Sequence, residues 1–294
     1  MEISQSEAEQ GPAPDTPVRV SRVDVGAGHV AIRRWGRGQP VLCLHATGHD
    51  SEDFAALADR LGGAFELVAP DWPGQGHSPA DGKPPRAGHY ADIIEAVCSG
   101  LGLERPILIG NSIGGAAALI AAHRQPAAYP ALVLCNAGGL AAVDGPARFV
   151  IGRMVAFFEA GARGAYWYDR AFAAYYRHLV LPRSEAAARR NRIIAAGREM
   201  APLLAEAWRG FAEPAADLRD LAPGIGIPVW LAWARSDRLV AWSRARKAAA
   251  RFPLHAVTLF RGGHAAFLED PDRFAEGFRE FVSGKVALAA GKGA

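Results

Sequence analysis

Cysteine, lysine and long apolar runs are scarce in this 294-residue sequence. Three cysteines, Cys43, Cys98 and Cys135, are too few for a disulfide framework. Two of them, Cys43 and Cys135, sit inside apolar runs, where a thiol acts as a small hydrophobe. Lys83, Lys247, Lys285 and Lys292 are the only lysines, the arginines are scattered, and the formal charge is +3. Neither nucleic acid nor an anionic membrane surface is therefore expected as a partner. No apolar run approaches the ~20 residues that span a bilayer. Residues 1–17 carry acidic, Gln and Pro residues without the charged-then-apolar layout of a signal peptide, and read as a disordered tail. The expectation is a reduced, cytoplasmic protein. There is no internal repeat to suggest a solenoid.

What is present is an ordinary globular composition, long enough to bury a large core. Val18 to Val25 and His29 to Trp35 read as a hairpin turning at Gly26-Ala27-Gly28. Short apolar strands then alternate with helices. Strands are expected at Val41–Leu44, Phe65–Ala69, Ile107–Ile109, Ala131–Cys135, Val229–Trp233 and Ala256–Phe260. Helices are expected at Ser51–Leu61, Ala91–Gly100 and Ala116–Ala122. Continuous apolar strands separated by helices predict an α/β protein, with a mostly parallel sheet covered by helices on both faces. Strand-like runs vanish between about Leu140 and Phe211, a stretch rich in Ala, Arg, Glu and aromatics. That interruption reads as a helical insertion, residues 140–215, between core segments 18–139 and 216–294.

Gly110-Asn111-Ser112-Ile113-Gly114 lies between one of these strands and the following helix. A Gly-x-Ser-x-Gly there predicts a sharp turn that holds the serine at strained dihedrals and lifts its hydroxyl above the sheet. A serine nucleophile needs a base, and the base needs an orienting group. Asp237 follows the strand Val229–Trp233, and His264 follows the strand Ala256–Phe260. Both are expected at the carboxyl edge of the sheet, beside Ser112, where open α/β sheets place ligands. Asp217, Asp270 and Asp272 compete as acids, but none follows a core strand as directly. His45, His49, His77 and His89 compete as histidines. His45 and His49 have i,i+4 spacing, yet Thr47-Gly48 between them argues against a helix, and no metal site is expected. An oxyanion needs preorganised amides. Ile113, at the start of a helix, supplies one, and the loop Leu44-His45-Ala46-Thr47-Gly48 is expected to supply another.

These segments together resemble the serine hydrolases of the α/β-hydrolase superfamily over about residues 20 to 280. The resemblance is carried by His45-Ala46-Thr47-Gly48, Asp71-Trp72-Pro73-Gly74-Gln75-Gly76-His77-Ser78, the Ser112 turn, and the Asp237 and His264 loops. Ala46 departs from the usual glycine. The resemblance implies Thr47 as the second oxyanion amide, a structural Asp71–Ser78 loop, and a helical cap at 140–215. It also implies substrate contacts among Trp72, Phe158, Trp167, Tyr175 and Val240. The expected reaction is hydrolysis of a small or medium, apolar carboxylic ester through an acyl-enzyme. Ser112 would be the nucleophile, His264 the base and Asp237 its orienting acid. Water is the second substrate, so no cofactor is expected. The partner is a small molecule, and a homodimer is compatible with the sequence. Two alternatives stand beside this. Asn111 and Gly115 resemble a carbon–carbon bond hydrolase subgroup acting on meta-cleavage diketones, although Ala265 and the glycine-poor oxyanion loop depart from it. The other alternative is a ligand-binding member of the fold without turnover.

Overall fold

The computed structural model of the chain describes residues 18–26 and 28–286, so the expectation for residues 1–17 lies outside the described residues. Strands β1 (Val18–Asp24), β2 (His29–Gly36), β3 (Gln39–Leu44), β4 (Phe65–Pro70), β5 (Ile107–Asn111), β6 (Leu132–Cys135), β7 (Val229–Ala234) and β8 (His255–Phe260) form one sheet. Its order is β1-β2-β4-β3-β5-β6-β7-β8. The β1–β2 and β2–β4 pairs are antiparallel, and every later pair is parallel.

The parallel strands are apolar on both faces because both are covered. Val41 and Cys43 of β3, Ile107 and Ile109 of β5, and Trp230 and Ala232 of β7 point into one core. Leu42 and Leu44, Leu108, and Leu231 and Trp233 alternate into the other. This is the two-residue period of a strand with two buried faces. Helices α1 (Ala55–Leu61), α2 (Ala87–Leu101) and α3 (Ile113–Arg124) follow the early strands. Between β6 and β7 the chain forms α4 (Gly145–Ala162), α5 (Tyr168–Tyr175), a π-turn (Tyr176–Val180), α6 (Ala187–Ala195) and α7 (Gly197–Gly210). After β7 come α8 (Trp242–Ala249), α9 (Ala266–Glu269) and α10 (Pro271–Phe281). No described helix is long and apolar enough to cross a membrane.

Three helical boundaries differ from expectation. The helix expected from Ser51 opens as a 3₁₀ turn, Ser51–Phe54, capped by the Asp50 carboxylate on the Glu52 amide. The helix expected from Ala91 begins four residues earlier, at Ala87, with Arg86 as its extended N-cap. The helix expected from Ala116 begins at Ile113, directly after Ser112. The amphipathic pattern of these short starts is masked by glycine and polar residues that are there for capping or the turn.

Aromatic residues of the α4–α7 segment continue a core of the sheet domain. Phe158, Tyr168, Phe172 and Tyr176 belong to the same apolar cluster as Phe54, Phe267 and Trp230 under the sheet. Charged ties also join the segment to the sheet domain. Arg86 binds Glu206 at 2.8 Å and Glu213 at 2.7 Å. Arg189 of α6 reaches Asp53 at 2.6 Å and Asp50 at 2.8 Å.

Candidate active site

The turn between β5 and α3 is tight for a steric reason. A Cβ at Gly110 would run into the backbone of Gly114 and Gly115, and one at Gly114 into the Leu44 and His45 carbonyls. Only glycine lets α3 start this close to β5 and β3. Ser112 is strained as a result, at φ 55° and ψ −118°. Its carbonyl accepts from the Gly138 amide at 2.9 Å, and its own amide donates to the Cys135 carbonyl at 3.1 Å. The turn is thus pinned to the end of β6, and the serine keeps accessible surface.

Asp237 and His264 come together as expected from the strand ends. His264 Nδ1 lies 2.9 Å from Asp237 Oδ2, and both residues are buried. The pairing assigns the ring proton to Nδ1 and leaves Nε2 for a hydroxyl partner. The His264 amide donates to the Val180 carbonyl at 2.7 Å. The Asn111 side-chain Nδ2 donates to the carbonyls of His264 and Cys135, both at 2.9 Å. The residue preceding Ser112 therefore holds the histidine loop beside the serine turn.

The Asp237 carboxylate is fully satisfied. Oδ1 accepts from the Leu239 and Val240 amides at 2.7 and 3.0 Å, and Oδ2 accepts from Asn136 Nδ2 at 2.6 Å as well as from His264. Burial alone would push its carboxyl up, but the imidazole and the backbone donors outweigh that and hold it below the usual carboxylate range. It is therefore ionised where the imidazole must be oriented.

The loop after β3 is fixed from behind. Gln75 Oε1 accepts from the Gly48 amide at 2.6 Å, and His45 Nε2 accepts from the Trp72 amide at 3.0 Å. Asp71 accepts from the Ser51 and His77 amides at 2.7 and 2.8 Å. Among the described residues the Thr47 amide donates to no protein acceptor. Ile113 is the first residue of α3, where an amide has no intrahelical acceptor. These are the two amides expected to face an oxyanion.

The expected substrate contacts divide. Trp72 has no accessible surface: it stacks on Tyr90 with ring centroids 4.3 Å apart, and its Nε1 donates to the His45 carbonyl. Phe158 is also buried, edge-on to Phe172 and Tyr175. Both expectations are corrected, since each ring is taken up by packing. Trp167 is 41% exposed, against Phe157 and Tyr168, and nothing brings it to the serine turn. Tyr175 is half-buried against Phe158, Phe172 and Tyr176, and its hydroxyl is held well above the usual phenol value by burial and by the Asp237 charge. Val240 is half-buried, its amide on Asp237 and its carbonyl accepting from Trp233 Nε1 at 2.8 Å.

Several site residues gave no sequence signal. Asn136 looked like an ordinary residue after a strand. Glu269 is buried and accepts from the Gly263 and Arg183 amides at 2.6 and 3.1 Å, bracing the histidine loop. His49 is no ligand partner of His45: its Nδ1 pairs with Asp53 at 2.6 Å. Of the competing residues, His89 pairs with Asp81, and Asp217 and Asp272 pair with arginines.

A strained serine after a central parallel strand, with a buried Asp–His pair on neighbouring strand ends, defines a hydrolase of the α/β type. Comparison with known proteins agrees. Residues 41–277 match the alpha/beta hydrolase family, and the chain belongs to that family. It is 31% identical over 263 residues to a pimeloyl-[acyl-carrier protein] methyl ester esterase of Stenotrophomonas maltophilia, covering 85% of this chain and 95% of that one. Among solved structures, it is similar to an esterase from Exiguobacterium antarcticum, with a TM-score of 0.78 and 18% identity over 90% of this chain and 99% of the other. It is also similar to the enol-lactonase from Burkholderia xenovorans, with a TM-score of 0.73 and 20% identity over 90% of this chain and all of the other.

Proposed function

We propose that the protein hydrolyses small or medium, apolar carboxylic esters through an acyl-enzyme, with Ser112 as nucleophile. The carrying observation is the His264–Asp237 pair at 2.9 Å, on a loop that the Asn111 side chain ties to the turn holding Ser112 at φ 55°. In the first half-reaction Ser112 Oγ bonds to the ester carbonyl carbon while its proton passes to His264 Nε2. The Thr47 and Ile113 amides take the negative oxygen. The C–O bond to the alcohol then breaks, and the imidazolium gives the alkoxide its proton. Water repeats the sequence on the acyl-enzyme, returning the proton to Ser112 and releasing the acid. Asp237 keeps the imidazole in the required tautomer and stabilises its charged form.

The α4–α7 segment acts as the cap. Leu204 of α7 is the side chain that a Cβ at Gly48 would meet, which supports apolar surface of the cap facing the oxyanion loop. Tyr175 and Val240 are the remaining substrate-contact candidates. The esterase named among the relatives supports this reaction class. Asn111, which suggested carbon–carbon hydrolysis, is engaged by the His264 and Cys135 carbonyls. It therefore needs no diketone substrate to account for it. The test is a panel of p-nitrophenyl esters graded in acyl length, alongside a lactone and a meta-cleavage diketone, with fluorophosphonate labelling mapped by peptide mass. Ester turnover lost on labelling of Ser112 is the expected result. Turnover of the diketone alone, or labelling elsewhere, overturns the reading.

A further inference from the structure

We propose that Asn136 is a positioning residue, its carboxamide fixing which oxygen of Asp237 faces His264 and how much negative charge that oxygen presents. The proposal rests on the catalytic reading of Ser112, Asp237 and His264 given above.

Asn136 directly follows β6, is fully buried, and sits in the left-handed region at φ 45°. Its carboxamide spans two neighbours. Oδ1 accepts from the Ala234 amide at the end of β7, at 3.2 Å, and Nδ2 donates to Asp237 Oδ2 at 2.6 Å. Chemistry forces this orientation. A flipped amide would set two acceptors against each other at Asp237 and two donors against each other at Ala234.

The two oxygens of Asp237 are held by different means. Oδ1 is gripped by two backbone amides of its own loop, at Leu239 and Val240. Oδ2 is shared between His264 and one side chain from the end of another strand, Asn136. Asn136 therefore opposes rotation of the carboxylate away from the imidazole. It also draws charge from the oxygen that stabilises the imidazolium. A neutral donor here leaves the carboxylate ionised and the histidine free to give its proton back to the leaving group. An acceptor or an empty space would alter both. The other charged or titratable groups around the pair are Tyr175 from α5, Glu269 under the Gly263 amide, and exposed Arg235 and Arg238 beside Asp237 in the chain. Each is the same in the parent and the variants below.

Two substitutions tolerate the left-handed backbone and so isolate the amide. Asn136→Gly removes it. Asn136→Asp replaces it with a second carboxylate at the position of a donor now 2.6 Å from Asp237. Both are measured for thermal unfolding, for kcat and KM on a p-nitrophenyl ester, and for the pH profile of kcat/KM. In Asn136→Gly, kcat falls by about 10–100-fold with KM within about twofold, because only the transition state uses the oriented pair. In Asn136→Asp, carboxylate oxygens 2.6 Å apart cannot both stay ionised, so the pair holds one proton and titrates as a unit, adding to the pH profile of kcat/KM a step that the parent lacks. The proposal is overturned if both variants fold and keep the parent's kcat and pH profile. It is also overturned if both fail to fold, since Asn136 is then a structural residue only. Ser112→Ala, assayed in parallel, separates this from the reading beneath it. If Ser112→Ala remains active, the nucleophile assignment fails, whatever Asn136 does.

Discussion

Replacing Asp237 by Asn tests the site most sharply, because the surrounding donors leave the new amide one way to sit. Its oxygen must take the Oδ1 position, where the Leu239 and Val240 amides converge at 2.7 and 3.0 Å. Its NH₂ then occupies the Oδ2 position, facing Asn136 Nδ2 and His264 Nδ1. A donor opposite Nδ1 selects the tautomer protonated on Nε2, which cannot accept the Ser112 proton. We expect kcat to fall on the order of 10⁴-fold, which is about 5.5 kcal/mol of lost transition-state stabilisation. The two facing NH₂ groups also leave a buried donor unmet, lowering stability by about 1–3 kcal/mol. The two effects separate when Asp237→Asn is combined with Asn136→Asp. The carboxylate introduced at position 136 would accept from both the new side-chain amide at position 237 and the Ala234 backbone amide. Stability then returns, while the tautomer and therefore the rate do not. Stopped-flow ester hydrolysis and urea unfolding measure the two quantities. A single variant within tenfold of the parent kcat, or a double variant with restored rate, would refute the tautomer reasoning.

Ser112→Ala should abolish ester turnover by several orders of magnitude while leaving unfolding curves little changed, since the fold holds the serine by its backbone. Fluorophosphonate labelling of this variant at an unchanged rate would locate the nucleophile elsewhere. Burial pushes Glu269 up to about 7, against the amide hydrogen bonds that pull it down. The folded carboxyl therefore holds a proton that the unfolded chain has released, and stability declines as pH rises from about 4.5 to about 7. Glu269→Gln should remove that component, on the order of 3 kcal/mol, from urea unfolding measured across the window. Parallel pH dependences in the parent and variant would sink the assignment. Arg189→Met leaves Asp53 buried with only His49, and should lower stability by about 3–5 kcal/mol. Adding Asp53→Asn should recover part of that loss, whereas strict additivity would show the two groups uncoupled. Phe158→Ala should lower stability by about 3–5 kcal/mol and leave the ranking of acyl chain lengths intact. Tyr175→Ala should reorder that ranking in kcat/KM, and the opposite pattern would exchange their roles.

Local sequence determined the strands, because each parallel strand is buried on both faces and must be apolar throughout. Val41-Leu42-Cys43-Leu44 can satisfy two cores in no other way. It also determined the serine turn, where the glycines are demanded by carbonyls within a few ångströms. Chain order and strand ends then brought Asp237 and His264 to the same edge. The α4–α7 insertion was legible as a loss of strand pattern, but which of its aromatics meet substrate was not. Phe158 and Tyr175 look alike in sequence, yet one is enclosed by α4, α5 and α7 and the other keeps accessible surface. The same holds for the polar residues that finish the site. Asn136 lies 101 residues from the carboxylate it orients, and Arg189 lies 136 residues from Asp53. Periodicity and motif spacing report on neighbours along one element. A hydrogen bond between the ends of two strands, or between an inserted helix and the loop beneath it, exists only once packing fixes the distance, and that was decided by the tertiary structure alone.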